Sequence, residues 1–81
     1  MKILTALYLS EYKIEVTFKN GKILIADFEN FIKSSFQPMT SQFKNIKKFQ
    51  NFRVHFGNLA WQDHQMDISA ESIYKGEFTN N

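Results

Sequence analysis

Cysteine is absent from this chain of 81 residues, and glycine and proline are scarce, with 3 and 1 copies. Without cysteine, neither disulfide bonds nor thiolate metal sites can hold the fold together. No apolar run approaches the ~18 residues that a membrane-spanning helix needs, and the chain starts without the apolar segment and cleavage site of a secretory signal. We therefore expect a cytoplasmic protein that does not associate with membranes.

A strong charge of one sign is also lacking, because 10 Lys and Arg against 8 Asp and Glu leave a net charge of +2. That charge does not by itself indicate nucleic-acid binding. The chain is instead rich in aromatic residues, with 9 Phe, 3 Tyr and 1 Trp, and 43% of it is hydrophobic. This composition favours a folded globule over a disordered segment. We expect a single α+β domain over residues 1–76 and a disordered tail over residues 77–81.

Residues 12–27 alternate apolar and polar side chains on both sides of Asn20-Gly21. Because Asn-Gly tolerates the positive φ angles of a type I′ turn, the pattern predicts a hairpin with a two-residue loop. In that register Phe18 faces Ile23, and successive side chains point to opposite faces. The core face then carries Ile14, Val16, Phe18, Ile23 and Ile25, and the outer face carries Glu15, Thr17, Lys19, Lys22, Leu24 and Ala26.

The segments next to this hairpin predict one further strand and two short helices. Residues 2–8 are apolar on both sides, which favours a strand covered on both faces or lying inside the sheet. Asp27 is placed to cap a short helix that ends before Pro38. Thr40 or Ser41 can cap a second short helix.

A second hairpin is predicted over residues 52–61, with Gly57-Asn58 as its turn. Its apolar face carries Phe52, Val54, Phe56, Leu59 and Trp61, and Arg53 and His55 lie on the opposite side. Residues 66–68 can add a short strand, after which Ser69 caps a last helix that ends at Gly76. The pattern predicts the α+β class: an antiparallel sheet of about five strands in two hairpins, with short helices packed on one face.

The order and spacing of these motifs resemble one family of small prokaryotic domains, the domain of unknown function 2442 family. The shared motifs are Asn20-Gly21-Lys22, Phe36-x-Pro38-Met39, Phe52-x-Val54, Gly57-x-Leu59-x-Trp61, Asp67-Ile68 and Ile73-Tyr74. The resemblance implies a β-rich α+β fold, often encoded beside another small protein in an arrangement like a toxin–antitoxin pair. No catalytic residue is established for the family, so the resemblance assigns none here. The chain departs from the family's pattern at Asp63-His64 and Ser69-Ala70, which lie in loops.

One group of side chains could support metal binding or acid–base chemistry, namely His55, Asp63, His64 and Asp67. These residues lack a recognised ligand spacing, and a solvated loop beside an exposed strand face explains them better. We therefore expect no metal, no cofactor and no enzymatic activity.

A second group could bind single-stranded nucleic acid. It consists of Lys44, Lys47, Lys48 and Arg53, which cluster in the sequence with Lys33 and alternate with Phe43, Phe49 and Phe52. Phosphates would contact the basic groups, and bases would stack on the rings. The alternative is a solvated helix end next to core aromatics.

A third group could form a protein-interaction surface. Leu24 and Ala26 on the predicted outer face, together with Tyr74, either lie under another strand or leave an apolar patch for a partner. An unprotected edge strand would offer a second docking mode, by strand addition. We expect a non-enzymatic interaction module, an antitoxin-like or regulatory partner of a neighbouring small protein, with weak nucleic-acid binding as the alternative. The sequence leaves the oligomeric state open.

Overall fold

A computed structural model describes residues 1–78, which contain six β-strands and four short α-helices. The strands are β1 Ile3–Ser10, β2 Lys13–Phe18, β3 Ile23–Asp27, β4 Phe52–His55, β5 Asn58–Trp61 and β6 Met66–Ile68. The helices are α1 Glu29–Lys33, α2 Pro38–Ser41, α3 Ile46–Phe49 and α4 Ala70–Lys75, and a 3₁₀ turn, Gln42–Lys44, joins α2 to α3. The predicted α+β class is confirmed. None of the helices in the described residues is long and apolar enough to cross a membrane.

The strands form two antiparallel sheets of three strands each, in the orders β1-β2-β3 and β4-β5-β6. The prediction of one sheet of about five strands is therefore wrong. Each sheet has one strongly apolar face, and both faces contribute to the same core together with the helices. At one corner the sheets touch, where the Ile3 N–H donates to the Gly57 carbonyl at 2.8 Å. Two sheets bury both apolar faces, whereas a single sheet of the same strands would need a second layer to cover them.

The first hairpin has a three-residue loop, Lys19 to Gly21, instead of the predicted two-residue loop. The Gly21 N–H donates to the Phe18 carbonyl at 2.9 Å, and the Phe18 N–H donates to the Lys22 carbonyl at 2.8 Å. Gly21 takes φ +93°, but Asn20 does not have a positive φ. This is the pattern of a type I turn followed by a bulge glycine. The Asn20 side chain also accepts the Lys22 N–H at 3.0 Å, which supports this loop.

The longer loop moves the register of β3 by one residue, so Thr17 pairs with Ile23, Val16 with Leu24, and Glu15 with Ile25. A shift of one residue turns every side chain of the strand to the other face. Leu24 and Ala26 consequently point to the core side, and Ala26 is buried. Ile23 and Ile25, predicted to be core residues, point outward and are each 59% exposed. The predicted faces of β2 are confirmed, since Ile14, Val16 and Phe18 are fully buried.

The second hairpin turns at Phe56-Gly57, one residue earlier than predicted, and both residues have positive φ angles of 50° and 79°. The register changes by an even number, so Phe52 still shares a face with Trp61, and Val54 with Leu59. The predicted apolar face is thus confirmed except for Phe56, which lies in the turn and is 79% exposed.

Gly57 is expected to be more sensitive to substitution than Gly21, although both have positive φ angles. A Cβ at Gly57 would collide with the Lys2 side chain, whose Nζ donates to the Phe56 carbonyl at 3.1 Å, whereas nothing lies near Gly21. We expect Gly57→Ala to cost about 1–3 kcal/mol, toward the upper end, and Gly21→Ala to cost less. Urea unfolding of both variants measures the difference. Equal losses would contradict a role for the Lys2 contact.

The helices differ from the prediction mainly in their starts. Phe28, not Asp27 as predicted, is the N-cap of α1, although the Asp27 carboxylate accepts the Glu29 N–H at 3.0 Å. Pro38 begins α2 at a position where its missing N–H is no loss, and neither Thr40 nor Ser41 caps a helix. Instead, the Asn45 side chain caps α3 by accepting the Lys48 N–H. The prediction for α4 is confirmed, with Ser69 as its N-cap and Gly76 at its end.

The core is centred on Trp61, which is fully buried. Its Nε1–H donates to the Phe49 carbonyl at 2.8 Å, and its ring contacts several aromatic rings. These belong to Phe28, Phe43, Phe49 and Phe52. Within the described residues, every buried side-chain nitrogen and oxygen has a hydrogen-bond partner.

The predicted tail begins with two residues that the structure describes. The Glu77 N–H donates to the Ser72 carbonyl at 2.8 Å, and the ring of Phe78 lies 4.5 Å from that of Phe28. Phe78 therefore packs against the core. The rest of the predicted tail, residues 79–81, lies outside the described residues.

Candidate protein-binding surface

The outer face of the first sheet carries exposed aliphatic side chains on both of its outer strands. Ile23 and Ile25 on β3 are each 59% exposed, and Leu7 on β1 is 60% exposed. Leu4 and Leu9 on β1 are exposed as well. We call Leu4, Leu7, Leu9, Ile23 and Ile25 the outer apolar face. Since large aliphatic side chains are normally buried, five of them on one sheet face need an explanation.

The central strand separates these side chains into two ridges. The outward residues of β2 are Lys13, Glu15 and Thr17, all half-buried, and Glu15 pairs with Leu7 on one side and Ile25 on the other. The Lys13 ammonium lies 3.6 Å from the Glu11 carboxylate. The surface is thus a polar stripe between two apolar ridges, with one lysine and one glutamate along the stripe.

The prediction that β1 is covered on both faces or lies inside the sheet is wrong for a single chain. In the order β1-β2-β3 it is an outer strand, and only its inward residues, such as Ala6 and Tyr8, pack against the core. The two apolar sides of residues 2–8 were nevertheless a valid signal, because Leu4 and Leu7 belong to one ridge of the outer apolar face. The sequence-based surface missed this ridge and placed the β3 residues on the wrong faces.

The three residues predicted as an interaction surface lie together, but not on the outer face. Leu24, Ala26 and Tyr74 line a groove of about 350 Å³ between β3 and α4. Placing Leu24 and Ala26 on the outer face was wrong, because the longer hairpin loop turns them inward. Tyr74 is engaged with the first hairpin: its ring lies 5.0 Å from that of Phe18, and its hydroxyl accepts a hydrogen bond from the Asn20 amide at 3.4 Å.

The basic group lies on the surface next to aromatic rings that belong to the core, which agrees with the alternative of a solvated helix end. Lys44, Lys47 and Lys48 are exposed, and within residues 1–78 none of them forms an ion pair. Arg53 is exposed too, and its Nη1 donates to the Gln62 carbonyl at 3.1 Å. The three phenylalanines between these residues, Phe43, Phe49 and Phe52, all belong to the core or pack against it. Bases therefore have no aromatic ring to stack on here.

Lys33, a neighbour of this group in the sequence, is in a different situation. It forms an ion pair with Glu29 at 3.2 Å, one turn earlier on α1. The pKa of Lys33 is raised above its ordinary value, first by its hydrogen bond to Glu29 and then by the charge of that carboxylate. Because Glu29 occupies this ammonium, Lys33 is less available for contact with a phosphate.

The predicted metal or acid–base group is only partly brought together. The rings of His55 and His64 lie 4.5 Å apart, and the Nδ1 of His64 lies 3.1 Å from the Asp67 carboxylate. These three side chains line a shallow depression of about 260 Å³, in which Asp63 takes no part. In the part of the chain that the structure describes, no group of three or more His, Cys, Asp or Glu side chains is placed to hold a metal ion.

The fold and this surface define a small α+β domain with two three-stranded sheets, one of which exposes an apolar outer face. A family model described as "Protein of unknown function (DUF2442)" matches residues 3–79, nearly the whole chain. The chain belongs to this family, which confirms the resemblance inferred from its motifs. No curated protein and no solved structure matches the chain.

Proposed function

We propose that the protein is a cytoplasmic, non-enzymatic interaction module that binds another protein chain through its outer apolar face. The observation that carries the proposal is the set of five exposed Leu and Ile side chains on one sheet. They form two apolar ridges on one sheet face, and exposed apolar surface of this kind marks interaction sites on soluble proteins. Strand backbone holds both ridges in place, although the pairing of β1 with β2 is irregular at Leu4 and at Leu9, so little conformational entropy is lost on binding.

A protein partner fits this face better than nucleic acid does. The outer apolar face presents aliphatic side chains, whereas nucleic-acid sites combine cationic grooves with stacking aromatics. The basic group of Lys44, Lys47, Lys48 and Arg53 supplies charge, but its neighbouring phenylalanines belong to the core. We therefore do not propose nucleic-acid binding as the function. In its narrower form, the proposal makes the chain an antitoxin-like or regulatory protein that works beside a small neighbouring protein, as the family resemblance implies.

Capture from a lysate tests the proposal when it is done with matched variants. We expect tagged wild type to retain a stoichiometric protein at moderate salt after nuclease treatment. Leu7→Lys/Ile25→Lys should lose that protein, because two buried charges at the contact oppose binding. Phe36→Lys is the matched control, since Phe36 is fully exposed away from the first sheet.

Two results would contradict the proposal. One is retention of the same protein by Leu7→Lys/Ile25→Lys, with circular dichroism showing that the variant is folded. The other is recovery of nucleic acid that is lost in Lys47→Glu/Lys48→Glu, which would give the basic group the role that we assign to the outer apolar face.

A further inference from the structure

We infer that the partner protein adds an extended segment of its own chain to the free edge of β3, next to the groove between β3 and α4. This inference rests on the proposed function, because it requires a protein partner that contacts the ridge of Ile23 and Ile25. It adds the conformation of the bound segment and the hydrogen bonds that hold it. The argument uses the backbone groups along β3, the other edges of the two sheets and the groove.

The main chain of β3 presents unpaired hydrogen-bonding groups along one side. β3 is the last strand in the order β1-β2-β3, so only one of its edges is paired. The Phe28 N–H donates to the Tyr12 carbonyl at 2.9 Å, which fixes the alternation of hydrogen-bonded and non-hydrogen-bonded pairs along β2 and β3. In this alternation the N–H and C=O groups of Ile23 and Ile25 point away from β2. Within residues 1–78, these groups form no hydrogen bond.

An extended backbone is the occupant that fits such an edge. The N–H and C=O groups alternate along the edge, and another strand carries the same groups with the same spacing, so it satisfies all of them at once. A helix cannot do this, because its backbone groups are already bonded within the helix. The hydrogen bonds of the edge therefore favour a strand from the partner over a helix.

β3 lacks the features that protect the other edges of the two sheets. Proteins block free edges with bulges, with lysine or proline, or by keeping the strand short. The pairing of β1 with β2 is irregular at Leu4 and at Leu9, and β4 and β6 at the edges of the second sheet have only four and three residues. In contrast, β3 pairs with β2 in unbroken register over Ile23–Asp27 and contains neither lysine nor proline. Among the described strands, β3 is thus the edge most open to strand addition.

The groove beside this edge determines which side chains the added segment carries. Ile73, Tyr74 and Phe78 line the side of the groove that faces β3. Successive side chains of the added segment alternate in direction. Those opposite Ile23 and Ile25 point outward and extend their ridge, and the one between them points into the groove. Both surroundings are apolar, so the segment is apolar on both faces and has no proline opposite Ile23 or Ile25.

A short synthetic peptide tests the edge itself. The probe is acetyl-Lys-Thr-Val-Leu-Val-Thr-Lys-amide, whose central residues favour an extended backbone. It is added to the full chain at up to roughly 5 mM and followed by NMR of the backbone amides. We expect the amide signals of Ile23 and Ile25 to shift with a dissociation constant on the order of 1 mM, and the exchange of these two amide hydrogens with solvent to slow.

A second peptide provides the control for this titration. An analogue that is N-methylated at every residue keeps the side chains but cannot donate backbone hydrogen bonds, and it should bind at least ~tenfold more weakly. Equal binding of the two peptides would overturn the inference. So would the absence of any change at Ile23 and Ile25.

Two substitutions at one position separate the backbone from the side chain. Ile25→Pro removes the N–H at the open edge and leaves the bonds to β2 intact, because the Ile25 N–H points away from β2. Ile25→Val is the matched control, since valine has as many side-chain carbons as proline and keeps the N–H. We expect Ile25→Pro to weaken both peptide binding and partner capture at least ~tenfold, and Ile25→Val to change each by less than about threefold. Equal effects of the two substitutions would contradict strand addition.

The failures of the two proposals can be told apart. If Leu7→Lys/Ile25→Lys loses the captured protein but folded Ile25→Pro retains it, the partner covers the face without adding a strand. The inference is then wrong, and the proposed function stands. If capture survives all of these substitutions, both proposals are wrong. If sedimentation equilibrium shows wild type above 9.6 kDa and Ile25→Pro at that mass, β3 pairs with a second copy, which overturns the assignment of the edge to a different protein.

Discussion

Trp61→Ala is expected to lower the free energy of unfolding by about 3–5 kcal/mol, the largest loss from any single truncation in this chain. Trp61 is fully buried, and four phenylalanine rings surround it. Small domains have total stabilities of only about 5–15 kcal/mol, so this loss would remove a large part of the stability. Urea unfolding followed by circular dichroism measures the loss.

Two further variants separate packing from hydrogen bonding at this site. Trp61→Phe keeps a ring but leaves the Phe49 carbonyl without its donor, which costs about 1–3 kcal/mol for an unsatisfied buried group. Phe56→Ala removes an exposed ring and should change stability by less than about 0.5 kcal/mol. If Trp61→Ala cost no more than Phe56→Ala, the second sheet could not be packed around Trp61 as described.

Ala26→Asp is expected to destabilise the protein by more than about 3 kcal/mol, whereas Ile25→Asp should change stability by less than about 1 kcal/mol. Ala26 is 3% exposed and points to the core side of β3, so its carboxylate would be buried without a partner. Ile25 is 59% exposed, so the same group there stays in water. Thermal and urea unfolding of the two variants, at concentrations where the chain is monomeric, measure the contrast.

This pair of variants tests the register of the first hairpin directly. A two-residue type I′ loop would bury Ile25 and expose Ala26, and the order of the two effects would then be reversed. The outer apolar face depends on the register too, because Ile23 and Ile25 form one of its ridges. A reversed result would therefore remove the basis of the proposed function.

The Asn20-Gly21 signal explains why the first hairpin was predicted correctly and also why its register was predicted wrongly. Asn20-Gly21 is compatible both with a two-residue loop and with a three-residue loop that ends in a bulge glycine. Local preferences separate these loops only weakly, so packing decides between them. In the observed register the small side chain of Ala26 lies on the inner side next to Ile73 and Tyr74. The sequence does not show that α4 packs there, so it could not show which loop forms.

Local sequence patterns also could not predict how the two hairpins are arranged relative to each other. The apolar face of the second hairpin was correct because an even change of register keeps side chains on the same face, as for Val54 and Leu59. The sequence of either hairpin does not specify which of two arrangements forms. The edges of the hairpins could pair in a single sheet, or their apolar faces could pack against a shared core as two sheets. That choice depends on long-range contacts such as the one between Ile3 and Gly57.

The candidate surface was only half visible in the sequence. The two apolar sides of residues 2–8 indicated that Leu4 and Leu7 needed cover, and the structure leaves both of them exposed, together with Leu9, which was predicted to lie in the turn. The other ridge was missed because the predicted register of β3 assigned Ile23 and Ile25 to the core. For the basic group, spacing correctly placed the lysines on the surface. It could not show that Phe43 and Phe49 are fully buried.

The strand order has a consequence for how the chain acquires its structure during synthesis. In both sheets each strand pairs with its neighbour in sequence, so the loops closed within each sheet are short and each sheet is expected to form rapidly. The first three strands can assemble once residues 3–27 have left the ribosome. Their inner face carries Ile14, Val16 and Phe18. It stays uncovered until Trp61 and the second sheet have been made and pack against it. During this interval both faces of the first sheet are uncovered, which makes the nascent chain most prone to aggregation before its last third has been made.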